Sequence, residues 1–339
     1  MANDIRVFLP QWQKRKWFSS STILNGAIFT DKPSEADIQI NTSDWNSESS
    51  CFTNHEKQIY LMNYITSGSK NNKQFTRDRI RRGFCVDDKI KGLPQPINFC
   101  FSHNDFCKNP YLITVPVGFN PPNGISQKPE YWKEKQKTQN IQYHGKLYWK
   151  GNSKNHFTRK TVLEYYENRD SRFNVSDFSN SVYRAPCKAQ VYENYIQKLL
   201  NADMSFCLRG DRPSTHSFFD LLQHGCIPVN INCMDLGWSN ILSDVSSYML
   251  FYDLTKQTLD EIHSDIIRIL EDKDRILQMK HNCVNLFETL FKNQTRSAWG
   301  EFLLAKCIEI HKNDYDINKI SNTLISSEYL QLKGFNQKL

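Results

Sequence analysis

The sequence predicts an α/β protein made of two halves, each a mostly parallel sheet covered by helices. Three observations predict it. Short, mostly apolar runs recur along the chain, separated by connections of mixed polarity, as strands buried on both faces do. Helical periodicity appears between such runs, with Val191, Tyr195 and Leu199 at i, i+4 and i+8. Residues 119–140, rich in Pro, Gly and polar side chains, interrupt the pattern and read as a linker. A chain of 339 residues also exceeds what one core usually organises, so two domains are the default.

The elements follow in order. IRVFL at 5–9 is a buried strand, and ADIQI at 36–40 is a second, with KPSE as its lead-in turn. QIYLMNYI (58–65), PINFCFS (96–102) and YLITVPVG (111–118) are three more. After the linker, IQYHGKLYWKG runs toward a helix over 158–168, followed by the strand RFNVSDF. A helix over 188–200 precedes the strand FCL, a helix over 215–224 and the strand CIPVNI. MLFYDL near 249–254 is the last strand. The helix over 259–270 carries Ile262, Ile266, Ile269 and Leu270 on one face, and helical pattern continues over 273–312. The expected division is an N-terminal domain over 1–120, a linker over 121–140 and a C-terminal domain over 141–312. The last helix of that domain can pack back on the N-terminal one, and a polar tail spans 313–339. Two such halves suggest two Rossmann-like domains facing a cleft, with ligands outside the carboxyl ends of the strands.

Composition excludes several classes. Hydrophobic residues at 39% and charged residues at 23% are globular, not disordered, values. The net charge of +7 permits a phosphate-rich partner without demanding one. Its densest cluster is RDRIRR at 77–82, followed by Lys89 and Lys91. Without interleaved aromatics or a helix-turn-helix pattern it reads as a solvated helix face, so no nucleic-acid partner is expected. No run approaches the roughly 18–20 apolar residues of a membrane span, and MANDIRVFLPQW is not a signal peptide. None of the ten cysteines forms a CxxC pair or a zinc spacing, and reduced thiols are expected. Asp272–Lys273–Asp274 and Asp314–Tyr315–Asp316 do not follow a strand directly and read as solvated, not as metal ligands.

The stretch SFCLRGDRPSTHSFFDLLQHGCIPVNIN, 205–232, carries chemistry. Between two apolar runs it sets Arg209, Gly210, Arg212, Pro213, Ser214 and Thr215 ahead of a helix. Arginines grip anionic oxygens in a fork, and a helix start with a Ser or Thr cap attracts phosphate. Asp220, further along, can accept hydrogen bonds from vicinal hydroxyls, as an acid does for ribose. The pattern fits a nucleoside diphosphate; the alternative is a capped helix with surface arginines.

This region resembles the signature of the exostosin-type glycosyltransferases. Cys207, Gly210, Pro213, Ser214, Asp220, Gly225, Cys226, Ile227, Pro228 and Val229 match in order and separation. The family usually carries Arg just after the serines, where this chain has His216 and Ser217. Upstream, LYWKGNSKNHFTRKTVLEYY (147–166) resembles the family's aromatic-basic-Gly element and its helix-starting Arg, at Lys150, Gly151 and Arg159. INFCFSHNDF (97–106) resembles the place where members set His and Asp at a strand end. Asp105, with His103 behind it, is therefore the candidate base for an acceptor hydroxyl, against ordinary turn chemistry. Glu35 and Asp37 stay unassigned.

The resemblance implies a GT-B architecture and a metal-independent, inverting transfer from a UDP-sugar to a hydroxyl of an acceptor glycan, with no cofactor. Arg159, Arg209, Arg212, Lys150 and the 214–216 turn would hold the donor diphosphate, and Asp220 the ribose. Tyr148 and Trp149 can stack on sugar or uracil, or fill the core. UDP-xylose is taken first as donor, with UDP-galactose and UDP-glucuronic acid as alternatives. A transferase family with a similar Trp-basic-Gly element is a second reading, which the 225–229 run argues against. A non-catalytic UDP- or sugar-binding member is a third, motivated by His216 and Ser217, and a basic nucleic-acid-binding protein is the last. The chain is expected to be soluble and cytoplasmic, like large-virus proteins resembling this family, or to lie in the secretory-pathway lumen if it is an excised catalytic region.

Overall fold

The computed structural model describes residues 5–8, 27–42, 58–62, 97–100, 112–114, 141–151, 157–167, 169–177, 189–208, 217–232, 245–290, 305–309, 311–314 and 319. The chain is mixed α/β and divides into two compact units. One comprises Met1–Gly118, Asn240–Leu242 and Thr295–Ser326, the other Phe119–Ser239, Ser243–Gln294 and Ser327–Leu339. The basic cluster at 77–82, with Lys89 and Lys91, and the linker at 121–140 lie outside the described residues.

The first unit holds a six-stranded sheet of β1 (Ile5–Phe8), β2 (Ala27–Thr30), β3 (Ile38–Thr42), β4 (Gln58–Met62), β5 (Ile97–Cys100) and β6 (Leu112–Thr114). Its order is β2-β1-β3-β4-β5-β6, and every pairing is parallel. Val7 and Ile38 are fully buried. A 3-10 turn at Pro33–Glu35 leads into β3. Asp37 then clips β3 to β1: its carboxylate accepts from the Arg6 N–H at 2.8 Å, and its own N–H donates to the Arg6 carbonyl at 2.8 Å. That is a structural role for a carboxylate the sequence leaves unassigned. Strand β2 is the one element of this sheet that periodicity does not find. It is an edge strand whose apolar run, Ala27 to Phe29, is only three residues long, with Ile28 52% exposed.

The second unit holds β7 (Leu147–Gly151), α1 (Phe157–Tyr166), β8 (Phe173–Asp177), α2 (Ala189–Leu200), β9 (Met204–Phe206), α3 (Ser217–Gln223), β10 (Ile227–Asn232), β11 (Leu250–Asp253), α4 (Leu259–Glu271) and α5 (Lys273–Leu290). Its sheet runs β11-β10-β9-β7-β8, again parallel throughout. Counted from each unit's first strand, both sheets share one winding: the second strand lies on one side of the first and the third on the other. Right-handed crossovers then set α1 on one face of the second sheet and α3 on the opposite face.

Side chains agree with that layering. Tyr166 of α1, fully buried, stacks on Phe173 of β8 and tilts against Phe206 of β9, with ring centroids 4.8 and 4.9 Å away. The ring of His263 from α4 lies 5.7 Å from Tyr166. Helix α4 begins with a capping box in which Thr258 and Glu261 bond each other's backbone N–H. It buries Ile262, Ile266, Ile269 and Leu270, the face its periodicity predicts. Helix α5 buries Ile276, Met279, Cys283, Leu286 and Phe287. Asp272 separates the two helices, and Asp272, Lys273 and Asp274 are all exposed. Among the described residues no helix is long and apolar enough to cross a membrane.

Candidate functional site

The winding of the second sheet determines where a ligand can sit. The strand order places the topological switch point between the carboxyl ends of β7 and β9, because right-handed crossovers set α1 and α3 on opposite faces. The register Leu147↔Met204, Tyr148↔Ser205 counts forward to Gly151 beside Leu208. The two stretches that stand out in the sequence depart from these two residues, 152–156 toward α1 and 209–216 toward α3.

Arg159 spans the two sides. It lies in the first turn of α1, half-buried, and its Nη2 donates to the Leu208 carbonyl at 3.1 Å. Gly151 closes β7 for a packing reason. A Cβ there would stand 2.4 Å from Cζ2 and 2.9 Å from Cη2 of Trp149. Residues two apart share a strand face, and the Trp149 indole folds over the strand end. Tyr148 and Trp149 are each 5% exposed, so both rings are taken up in the core and do not form a stacking platform. Burial pushes the Tyr148 phenol up to about 12, which keeps it protonated.

Helix α3 buries Phe218, Phe219, Leu221, Leu222 and Gln223. Ser217 and Asp220, at i and i+3, remain partly exposed. The helix therefore presents one polar stripe, and Asp220 is its carboxylate. His224 donates from Nδ1 to the Asp220 carbonyl at 2.7 Å; a carbonyl only accepts, so the proton sits on Nδ1.

Physical reasons also emerge for the Gly-Cys-Ile-Pro-Val run. Gly225 has φ +60°, and Cys226 N–H donates to the Leu221 carbonyl while Gly225 N–H donates to that of Leu222. This is a Schellman stop, which favours glycine. Cys226 is fully buried and burial pushes its thiol up, so it packs as a small apolar residue. Ile227 N–H donates to the Asp203 carbonyl, and Cys207 N–H to that of Val229. Alternation turns the nitrogen of Pro228 to the β11 side, where pairing starts only at Val229↔Leu250. Proline therefore forfeits no ladder bond.

At the opposite, amino edge lies a buried charge network absent from the sequence reading. Asp203 is 0% exposed and Lys280 is 2%. Lys280 Nζ donates to Asp203 Oδ1 at 3.1 Å and to the carbonyls of Gln142 and Ala202. The Asp203 carboxylate also accepts from the backbone N–H of His144 and Lys146. Every proton of the ammonium has an acceptor, which is what a buried cation requires. Nothing about isolated positions 203 and 280 signals it.

Of the residues the sequence nominates, Lys150 and Gly151 end β7, Arg159 lies in the first turn of α1, and Asp220 lies on the helix that follows β9. Arg209, the next residue after Leu208, lies outside the described residues, as do Gly210, Arg212, Ser214, Thr215 and His216. His103 and Asp105, which follow β5, also lie outside them. The Leu208 carbonyl, a backbone group, is a contact no sequence motif could have named. Among the described residues no three His, Cys, Asp or Glu side chains gather as a metal ion needs. No known family's sequence profile matches the chain, and no curated protein matches it.

Proposed function

We propose that this chain is an inverting glycosyltransferase of GT-B type, moving a sugar from a UDP-sugar to a hydroxyl of an acceptor glycan. One observation carries the proposal. Two stretches that resemble exostosin-type enzymes, 147–166 and 205–232, contain the neighbouring parallel strands β7 and β9, and Arg159 in the first donates to the Leu208 carbonyl in the second at 3.1 Å. Switch points take nucleotides in doubly wound sheets. Lys150, Arg159, Arg209 and Arg212, with the turn at 214–216, neutralise the diphosphate as the bond to the anomeric carbon breaks. Asp220 accepts from the ribose hydroxyls. Asp105, or His103, takes the proton of the attacking acceptor hydroxyl, and UDP departs from the opposite side. The cations do the work a metal would do elsewhere, and each domain is Rossmann-like. UDP-xylose is the first donor to try.

A second reading is a UDP-sugar-binding protein without turnover. It rests on His216 and Ser217 standing where the family has Arg.

Turnover separates the two. UDP release is measured with a panel of UDP-sugars and glycan acceptors, in the wild type and in Asp105→Asn. The transferase reading expects acceptor-dependent UDP release that falls about 10²–10⁴-fold in the variant with UDP affinity retained. UDP binding without release from any donor would favour the second reading.

A further inference from the structure

The segment that leads into β7, residues 141–146, is pinned along its length. The Gln142 carbonyl accepts from Lys280 Nζ at 2.5 Å, and the Tyr143 hydroxyl donates to the Leu270 carbonyl at 2.6 Å. His144 and Lys146 each aim a backbone N–H at the Asp203 carboxylate, at 3.0 and 2.9 Å. Gly145 between them has φ +68°, a left-handed step that turns alternate N–H groups to one side as an anion-binding nest. One carboxylate therefore anchors this segment and also faces the Lys280 ammonium at 3.1 Å. Asp203 and Lys280 are both buried.

A histidine sits inside this arrangement. The His144 imidazole is half-buried and turns to the Leu200 carbonyl at the end of α2, so the nitrogen there carries the proton. Its Nε2 is buried and has no hydrogen-bond partner. A second proton can go only to Nε2, where nothing accepts it. Among the described residues the charges that bear on the ring are Lys280 of α5, Asp203 ahead of β9 and Lys146 of the segment itself. Burial first, then the Lys280 ammonium, hold the imidazole below 6.5, and Asp203 offsets only part of that. The neutral ring is the stabilising form. Its contribution is full above the unfolded value and is lost as pH falls through the lower folded value.

We propose that residues 141–146 form an acid-released strap. Uptake of a solvent proton at His144 Nε2 sets a second cation beside Lys280, and the two compete for the one carboxylate that anchors the strap. The backbone of 144–146 then lets go of Asp203 while the helices keep their packing. The device rests on no part of the transferase proposal.

Hydrogen exchange on the full chain without ligand tests it. Peptides covering 141–147 are compared at about pH 7.5 and about pH 5, on either side of histidine titration, after correction for the intrinsic effect of pH. Wild type is set against His144→Gln, with 250–257 as the internal control. The strap predicts exchange in 141–147 on the order of tenfold faster in acid, the effect of losing one hydrogen bond to a charged acceptor. His144→Gln keeps a donor for Leu200 but takes up no proton, and should abolish that rise. The control should not change in either protein. No rise in wild type, or an equal rise in the variant, overturns the strap. So does a rise of the same size in 250–257, which would mean that the whole unit opens. If His144→Gln does not fold, the wild-type titration decides: the His144 ring-proton resonance and the opening of 141–147 share one midpoint if the strap is right, and separate midpoints contradict it.

Discussion

Lys280 holds its charge in the core only because Asp203 and two carbonyls surround it. Lys280→Met leaves a fully buried carboxylate without its cation and is expected to cost about 3–5 kcal/mol, read by urea unfolding of the second unit. The pair Lys280→Met/Asp203→Leu should recover part of that loss, because well-packed apolar replacements of a buried pair are often near neutral. A cost below about 1 kcal/mol for the single variant would deny the network its structural role. Gly151 gives a steric counterpart. With Trp149 Cζ2 at 2.4 Å from the added Cβ, Gly151→Ala must displace the indole, a strain of about 1–3 kcal/mol. Gly151→Ala should therefore lower the melting temperature and shift tryptophan emission together; an unchanged melting temperature would contradict the packing. At this scale the candidate site was half legible. Arg159 and Asp220 stand out as charged residues in signature stretches. The Leu208 carbonyl and the 203–280 pair do not, because one is backbone and the other joins positions far apart in sequence.

Among the elements, the junction of α1 with α4 should respond to acid. His263 packs among the rings of Tyr165, Tyr166 and Phe173. Burial, helped by the Arg169 guanidinium, holds its imidazole below 6.5. A histidine whose folded value is depressed is stabilising in its neutral form. Its contribution is full above the unfolded value and is lost as pH falls from there through the folded value. Asp170, lowered chiefly by its hydrogen bond from Arg172, and Asp260, lowered chiefly by that from Tyr165, lose theirs in more acid solution. Stability should therefore fall as pH drops through 6.5 toward the lower folded value of His263, and fall less in His263→Gln. Identical losses in both proteins would show that His263 does not take part. The helices were legible where amphipathic periodicity and a cap coincide, as in α4 with Thr258 and Glu261. Boundaries slipped where the run is short: FCL reads as a strand, yet β9 is Met204–Phe206. Strand β2 escaped altogether, because its apolar run, Ala27 to Phe29, is too short to stand out.

Over the whole chain, the strand orders β2-β1-β3-β4-β5-β6 and β11-β10-β9-β7-β8 give each unit a switch point at its carboxyl edge. Parallel pairing was legible from mostly apolar runs, whereas strand order was not, since it depends on crossovers that leave no local trace. That order carries the functional proposal, because it sets β7 and β9 side by side at the switch point. The measurement that tests it most directly is thermal unfolding of the full chain with UDP, GDP or CMP, with and without EDTA, for wild type and Asp220→Ala. At a ligand concentration near 100 Kd, a single site adds about 2.7 kcal/mol of apparent stability. The account predicts a UDP-selective, EDTA-insensitive rise in wild type that Asp220→Ala loses. No rise with UDP, or an equal rise in the variant, would contradict a nucleotide-sugar site at this switch point.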